Sequence, residues 1–336
     1  MATMETRKVQ RTGKSTLIVS LPKNWAIKND ISSGSTLFIS QNQSGALILS
    51  AEKSEPNLTI ELNIGDKAGE PLIRDIIACY VAGYRTIEIS SPQMSATQKK
   101  DLHKIVNKLI GPEVLEETLN KMVVQDLLSS EELQAERALK RLKNMTKLMI
   151  QDSISALLKK DVDLALDVMQ RDNEVDRLNL LIARQFTEIL RSGSVKQEAF
   201  SPIVAFNYMQ AASNLERIAD HASKIADASR QHNYNLPAQI EEELSKLGPN
   251  LSSVIDDCIS VLVHTDSKKA NELIDNMKET KKCLQITTGS FLGGEPEEMR
   301  VRLVVAGSIE RILDYVINIG ELTINLRNAG LEHIND

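Results

Sequence analysis

The chain has 336 residues, of which 42% are hydrophobic and only 3% aromatic, and its formal net charge is −6. This length allows two or three domains, and a soluble composition poor in aromatic residues favours helical bundles. The three cysteines, Cys79, Cys258 and Cys283, are odd in number and far apart, which excludes a disulfide framework and a zinc motif. Without a signal peptide or an apolar run of membrane length, we expect a cytoplasmic protein with no membrane insertion.

Charge is distributed unevenly between the first 54 residues and the rest. Residues 1–54 contain seven lysines and arginines against three acidic residues, so they carry +4 and the remainder carries −10. A basic segment on an acidic chain indicates a nucleic-acid or other acidic partner for that segment. We call residues 1–54 the head.

The head reads as strand, strand, short helix, strand, strand. The run Thr16–Leu21 is β-branched and apolar, Pro22 suits the first position of a short helix, and glycines punctuate the turns. The tripeptide at residues 13–15 has the ending of a phosphate-binding P-loop. That motif requires a glycine at position 8, which is Lys8 here, so we reject it.

The head resembles the SpoVT/AbrB (MazE-like) family. The residues that carry the resemblance are Arg7-Lys8-Val9-Gln10, Gly13-Lys14-Ser15-Thr16, Ser20-Leu21-Pro22-Lys23-Asn24-Trp25, Gly34 and Gly45. In that family two chains interlock through swapped hairpins into one β-barrel and grip DNA with basic residues. The resemblance therefore implies a homodimer, DNA as a partner, and a DNA-binding set of Arg7, Lys8, Arg11, Lys14 and Lys23. Two alternatives stay open, a dimerisation module with a solvated basic surface and an antitoxin-like partner binder; the long body argues against the second.

Residues 55–128 predict a small α/β domain with helices on one face of its sheet. Strands are expected at 58–64, 86–89 and 122–124, with a short irregular piece before the last, and helices from Pro71 to Gly83 and from Ser95 to Gly111. The segment has no catalytic spacing, so we expect a spacer or a second dimer contact. It resembles the linker domain that archaeal PhoU-like proteins place between their terminal modules.

Residues 129–336 are helical throughout and contain an internal repeat. Identities recur at an offset of 105, at Asp152/Asp257, Ile154/Ile259, Ser155/Ser260, Leu157/Leu262, Asp161/Asp266 and Ala165/Ala270. Each copy reads as helix, turn, helix, loop, helix, with Asp161 and Asp266 as helix N-caps. We therefore predict two tandem three-helix bundles, at 129–232 and 233–336. The third helices of the two copies are instead related by an offset of 94, so the first copy has 11 extra residues between its second and third helices. We expect these residues at 191–194.

The third helix of each copy carries a paired acidic motif. Glu216 and Asp220 correspond to Glu310 and Asp314 at the offset of 94. Residues four apart lie on one helix face, where like charges repel by about 0.2–0.5 kcal/mol. Packing alone does not require such a pair, so its repetition indicates a functional face.

The double bundle resembles the PhoU family, in the archaeal arrangement. The resemblance rests on residues 172–178, on Glu216-Arg217-Ile218-Ala219-Asp220-His221-Ala222 and on Glu310-Arg311-Ile312-Leu313-Asp314-Tyr315. It implies a regulator of phosphate uptake and phosphate homeostasis that is not an enzyme. The implied partners are a phosphate transporter or its regulatory proteins, and the implied cofactors are metal ions at the acidic motifs.

Clustered carboxylates favour cations that prefer oxygen ligands, and iron, zinc and magnesium are the candidates. The predicted metal-binding residues are Asp172, Asp176, Glu216, Asp220 and Asp227 in the first copy and Glu310 and Asp314 in the second. The second copy has Met277 and Lys281 where the first has Asp172 and Asp176. Because Lys281 can neutralise that cluster, we expect the metal in the first copy. The alternative is solvated carboxylates paired with Arg217, Arg311 and Lys224.

The leading hypothesis is a dimeric regulator whose helical body senses metal or phosphate status and whose head binds DNA. One alternative is a carboxylate-bridged, metal-dependent enzyme. The chain lacks the Glu-x-x-His spacing of di-iron bundles, and His221 lies five residues from Glu216. The other alternative is a dimeric adaptor for a phosphate transporter that does not bind DNA.

Overall fold

The computed structural model describes residues 5–41, 45–51, 58–128, 135–192, 201–230, 234–288 and 296–329. The described residues up to 51 form one compact unit, and those from 58 onwards form a second. The predicted boundaries at 54/55, 128/129 and 232/233, and half of the predicted insertion at 191–194, lie in or against segments outside these ranges. The four-domain division therefore stays a prediction. Within the described ranges, no helix combines the length and apolar composition needed to cross a bilayer.

The head is β-rich, as predicted, and its strands form two separate antiparallel hairpins. Its elements are β1 (Gln10–Thr12), β2 (Thr16–Ile18), α1 (Lys23–Lys28), β3 (Phe38–Gln41) and β4 (Leu47–Ser50). Gly13 adopts a φ of 67° in the turn between the first two strands, where a side chain would be strained. The described strands pair only two by two, so the closed barrel implied by the resemblance remains an expectation for two interlocked chains.

The α/β region has the two predicted helices and one strand more than predicted. Its elements are β5 (Thr59–Asn63), α2 (Glu70–Val81), β6 (Thr86–Ser90), α3 (Ala96–Asn107), β7 (Pro112–Glu117) and β8 (Lys121–Asp126). The sheet order is β5-β6-β8-β7, with β5 parallel to β6 and the other pairs antiparallel. The segment expected to be irregular is β7. A bulge between Val114 and Glu116 breaks the alternation that would have identified it.

The described residues from 135 onwards form six helices, which reproduce the predicted repeat. They are α4 (Ala135–Lys159), α5 (Val162–Ser192), α6 (Pro202–Ser229), α7 (Ala238–Val263), α8 (Ser267–Thr288) and α9 (Pro296–Asn328). The side chain of Asp161 accepts from the N–H of Leu164 at 3.0 Å, and that of Asp266 from Lys269 at 3.1 Å, so both predicted N-caps are confirmed.

The two bundles share one hydrophobic core, and their third helices cross at its centre. The rings of His221 and Tyr315, at equivalent positions of the two copies, have centroids 5.9 Å apart. Asn318 donates to Asn214 at 3.1 Å, so α6 and α9 run antiparallel past each other. This arrangement turns the acidic motif of each copy away from the other and towards the second helix of its own bundle.

The α/β region is attached to α5 through a buried arginine. The side chain of Arg184 is only 3% exposed, pairs with Asp126 at 2.8 Å, and donates to the backbone carbonyls of Tyr80 at 2.8 Å and Tyr84 at 3.0 Å. A buried charge that is paired with a carboxylate and hydrogen-bonded to two carbonyls in this way fixes a contact geometry. The helix α5 therefore carries both this joint and, about two to three turns earlier, Asp176 and Asp172 of the first copy.

Candidate metal centre

Three carboxylates of the first bundle converge at the α5–α6 interface. Asp176 on α5 and Glu216 and Asp220 on α6 each offer an oxygen, and these oxygens lie within 4.8 Å of one another. Helical geometry explains the convergence. Glu216 and Asp220 are one turn apart on one face, while Leu215 and Ala219 beside them are fully buried in the core. We call Asp172, Asp176, Glu216 and Asp220 the acidic cluster.

Asp172 belongs to the cluster because it lies one turn before Asp176 and interacts with the charge of Asp220. Its carboxylate accepts a hydrogen bond from Ser223, whereas its Oδ1 is buried and has no hydrogen-bond partner among the described residues. A buried carboxylate oxygen without a donor is unfavourable unless a cation or a proton satisfies it.

The electrostatics of the cluster disfavour its full ionisation. Burial, followed by repulsion from Asp220, raises the pKa of Glu216 to about 7 and that of Asp172 to about 6. Burial and the charge of Asp220 also raise the pKa of Asp176. The nearby cations Arg217 and Lys224 oppose these shifts only in part.

The donor set fits a divalent cation that prefers oxygen ligands. Four carboxylates with an orphaned buried oxygen are the groups that such ions use, and a bound cation would remove the repulsion that raises their pKa values.

His221, which follows Asp220 on α6, is surrounded by cations rather than by carboxylates. Burial and the charges of Lys224 and Arg311 lower its pKa to about 4, and its Nδ1 is buried without a described partner.

The structure places Asp227 outside the cluster. Its side chain is 61% exposed and pairs with Arg230 at 3.0 Å. Although Asp227 lies on the same helix face as Asp220, seven residues separate the two, which is about 10 Å along the axis.

The second bundle has a lysine in place of the third carboxylate. The Nζ of Lys281 lies 2.5 Å from Oδ1 of Asp314, and Arg311 approaches the other oxygen at 3.9 Å. Glu310 lies one turn before Asp314 on α9, and Met277, which replaces Asp172, is buried. The ammonium group thus balances the charge of Asp314, and the described residues contain no second acidic group like the first.

The five basic residues predicted to bind DNA, Arg7, Lys8, Arg11, Lys14 and Lys23, are all exposed. Arg7 forms an ion pair with Glu5. None of the described head residues is buried. The large apolar side chains that a single head leaves exposed are Val9, Leu17, Ile18, Val19, Ile27, Phe38, Ile39 and Leu47.

Two residues near the cluster were not identified from the sequence. Lys108 follows α3, and its Nζ donates to Oδ1 of Asn173 on α5 at 3.0 Å. The two positions are 65 residues apart, and no local pattern marks either of them. Only the docking of the α/β region on α5 brings them together.

Comparisons with known proteins agree with this architecture. The PhoU domain model matches residues 139–229, which contain most of the first bundle, and the bacterial antitoxin MazE model matches residues 10–57. A Clostridium acetobutylicum protein named as a phosphate-specific transport system accessory protein PhoU homolog is 27% identical over 218 residues, which are 61% of this chain and 95% of the relative. A Thermotoga maritima protein, PhoU homolog 1 of the same system, is 34% identical over 30% of this chain and 42% of its own length.

Solved structures show the same fold for the helical body. PhoU from Pseudomonas aeruginosa has a TM-score of 0.53 at 20% identity, and the alignment covers 58% of this chain and 96% of that structure. The phosphate transport system regulatory protein PhoU from Streptococcus pneumoniae has a TM-score of 0.50 at 22% identity, with 58% and 94% covered. The chain therefore combines a MazE-like domain with a PhoU-like helical body that follows it.

Proposed function

We propose that this protein regulates phosphate uptake and phosphate homeostasis, with a helical body that responds to a bound cation and a head that binds DNA. The observation that carries the proposal is the combination in one chain of a PhoU-type bundle bearing the acidic cluster and a MazE-like head bearing five exposed basic residues. The relatives named for the phosphate-specific transport system support the physiological context. A regulatory role fits this combination better than catalysis.

Asp176, Glu216 and Asp220, with Asp172 beside them, would hold the cation. When bound, the cation supplies positive charge that neutralises the cluster. The protein's own residues set the conditions: they concentrate negative charge at the α5–α6 interface and leave Oδ1 of Asp172 without a donor. Iron, zinc and magnesium all accept oxygen ligands and remain the candidates.

The head would act as a homodimer. Its exposed apolar side chains, such as Leu17, Ile39 and Leu47, are each more than 60% exposed in one chain, and a second chain would bury them. Pairing two heads would also double the local positive charge, and phosphate contacts by lysine and arginine dominate DNA affinity. Dimerisation and DNA binding are therefore coupled in this proposal.

The test is binding of the full chain to DNA upstream of its own gene and of phosphate-transport genes, measured by fluorescence anisotropy across a salt series. We expect specific binding that weakens steeply with salt and that falls at least about tenfold when Arg11 and Lys14 are both changed to glutamate. Lys28→Glu is the control, because Lys28 is a basic head residue outside the predicted set. Equal losses for Lys28→Glu and the double variant would refute a localised DNA surface.

The same samples distinguish the alternative. Sedimentation of the full chain reports its oligomeric state independently of DNA. A dimer that binds no tested promoter specifically would refute the transcriptional role and favour a dimeric adaptor for a phosphate transporter. A monomer would refute the interlocked head.

A further inference from the structure

The end of α3 lies against the part of α5 that carries the acidic cluster. Lys108 donates to Asn173 at 3.0 Å, and the next residue, Leu109, accepts a hydrogen bond of 3.5 Å from Arg177 through its carbonyl. Ile110 then packs against the core of the helical body, and its carbonyl accepts from the hydroxyl of Tyr80 at 2.9 Å. Three consecutive residues of the α/β region thus contact the helical body, and the first two contact α5, the helix that supplies Asp172 and Asp176.

Lys108 is placed beside Asp176 by its hydrogen bond to Asn173, which lies about one turn before Asp176 on α5. Its charge opposes the rise in the pKa of Asp176, whereas Arg217 and Lys224 act on Glu216 and Asp172. Lys108 is also the one of these three cations that belongs to the α/β region rather than to α6. Its side chain is exposed, so the ammonium group can leave Asn173 without the cost of moving a buried charge.

The contact at Lys108 differs from the joint at Arg184. Arg184 is buried, pairs with Asp126 and binds two backbone carbonyls, so it holds the α/β region on α5 irrespective of the cluster. The contact at Lys108 depends on one exposed ammonium group beside a negative cluster. A change in the charge of the cluster would alter this contact while leaving the joint at Arg184 intact.

We propose that Lys108 is the resident counter-cation of the acidic cluster, and that a metal cation bound there repels it and loosens the end of α3 from α5. This inference rests on the proposed cation binding and assigns Lys108 two roles, setting the affinity of the cluster for cations and coupling the charge of the cluster to the α/β region.

The first experiment measures the affinity of the full-length protein for Mn²⁺ by calorimetry after chelator treatment. Lys108→Gln is compared with wild type and with Lys100→Gln, which removes the same charge from α3 two turns further from its end. We expect Lys108→Gln to bind Mn²⁺ about three- to tenfold more tightly, as expected for one unit charge at short range near a protein surface, and Lys100→Gln to match wild type. Equal affinities for the two variants would overturn the role of Lys108 while leaving cation binding in place.

The second experiment measures hydrogen exchange of the backbone amides of residues 108–111 and does not require a metal. We expect Asp176→Asn to accelerate this exchange in cation-free protein, because the variant removes a negative charge that attracts Lys108 towards α5. Adding Mn²⁺ should accelerate the exchange of these amides in the wild-type protein and should not change their exchange in Lys108→Gln. If the wild-type protein binds no Mn²⁺, the proposed cation site is refuted, and with it the displacement of Lys108 by a metal. If exchange in Asp176→Asn is the same as in wild type, the coupling between the charge of the cluster and the end of α3 is refuted, whether or not a metal binds.

Discussion

Replacing Glu216 by glutamine should stabilise the cation-free protein at pH 8 and leave its stability at pH 4 nearly unchanged. The pKa of Glu216 is about 7 in the fold against an ordinary 4.5, so the carboxyl adds stability below pH 4.5 that is lost as the pH rises through 7. At about 1.4 kcal/mol per pKa unit the shift sets a ceiling near 3 kcal/mol; solvent contact and repulsion shared with its neighbours reduce the expected gain to about 1–2 kcal/mol.

The measurement is urea unfolding in the presence of a chelator at pH 4, 6 and 8, with Glu310→Gln as control because Lys281 already neutralises the second motif. The difference between variant and wild type is the informative quantity. His221 acts in the opposite direction, since its pKa of about 4 means that stability increases with pH between about 4 and 6.5. If Glu216→Gln changes the free energy of unfolding equally at pH 4 and pH 8, the ionised form of Glu216 is not the source of the instability, and the reasoning is refuted.

Three further predictions concern single contacts. Lys281→Asp should create a second cation site, so that the cation stoichiometry measured by calorimetry doubles; an unchanged stoichiometry would contradict the equivalence of the two motifs. Arg184→Met should cost about 3 kcal/mol in urea unfolding, because Asp126 loses its buried partner. Gly320→Ala should lower the melting temperature, since the new Cβ would lie 2.8 Å from a side-chain carbon of Ile274 on α8. Gly307→Ala is the matched control: its Cβ meets open space, and the change should stabilise α9 by about 0.5–1 kcal/mol.

Local patterns were sufficient to predict the repeat and the core of the cluster. The identities at an offset of 105 place Asp161 and Asp266 at equivalent helix starts, and both act as N-caps in the structure. The four-residue spacing of Glu216 and Asp220 depends only on helical geometry, whereas their approach to Asp176 was predicted from the packing of neighbouring helices in a three-helix bundle. The lysine that replaces Asp176 in the second copy could be identified by aligning the copies.

Contacts between distant segments could not be derived in this way. No periodicity relates Lys108 to Asn173 or Arg184 to Asp126, because their proximity follows from the docking of the α/β region on α5. The strand β7 was missed for another reason, a bulge that interrupts its two-residue alternation. Helical periodicity alone also grouped Asp227 with the cluster, since it reports the face of a helix but not the position along the axis.

The difference between the two repeats bears on how the protein would work. Gene-internal duplication alone would give two equivalent acidic sites, but Lys281 occupies the position of the third carboxylate in one of them and pairs with Asp314. The copy that keeps its acidic cluster is the copy whose α5 contacts the α/β region, through Arg184 and through Lys108. In the second copy, Lys281 pairs with Asp314 of its own bundle. A change of charge there would not act on a contact with the α/β region like the one at Lys108. Under the proposed function, Lys281 would therefore confine the response to a cation to the side of the helical body that adjoins the α/β region.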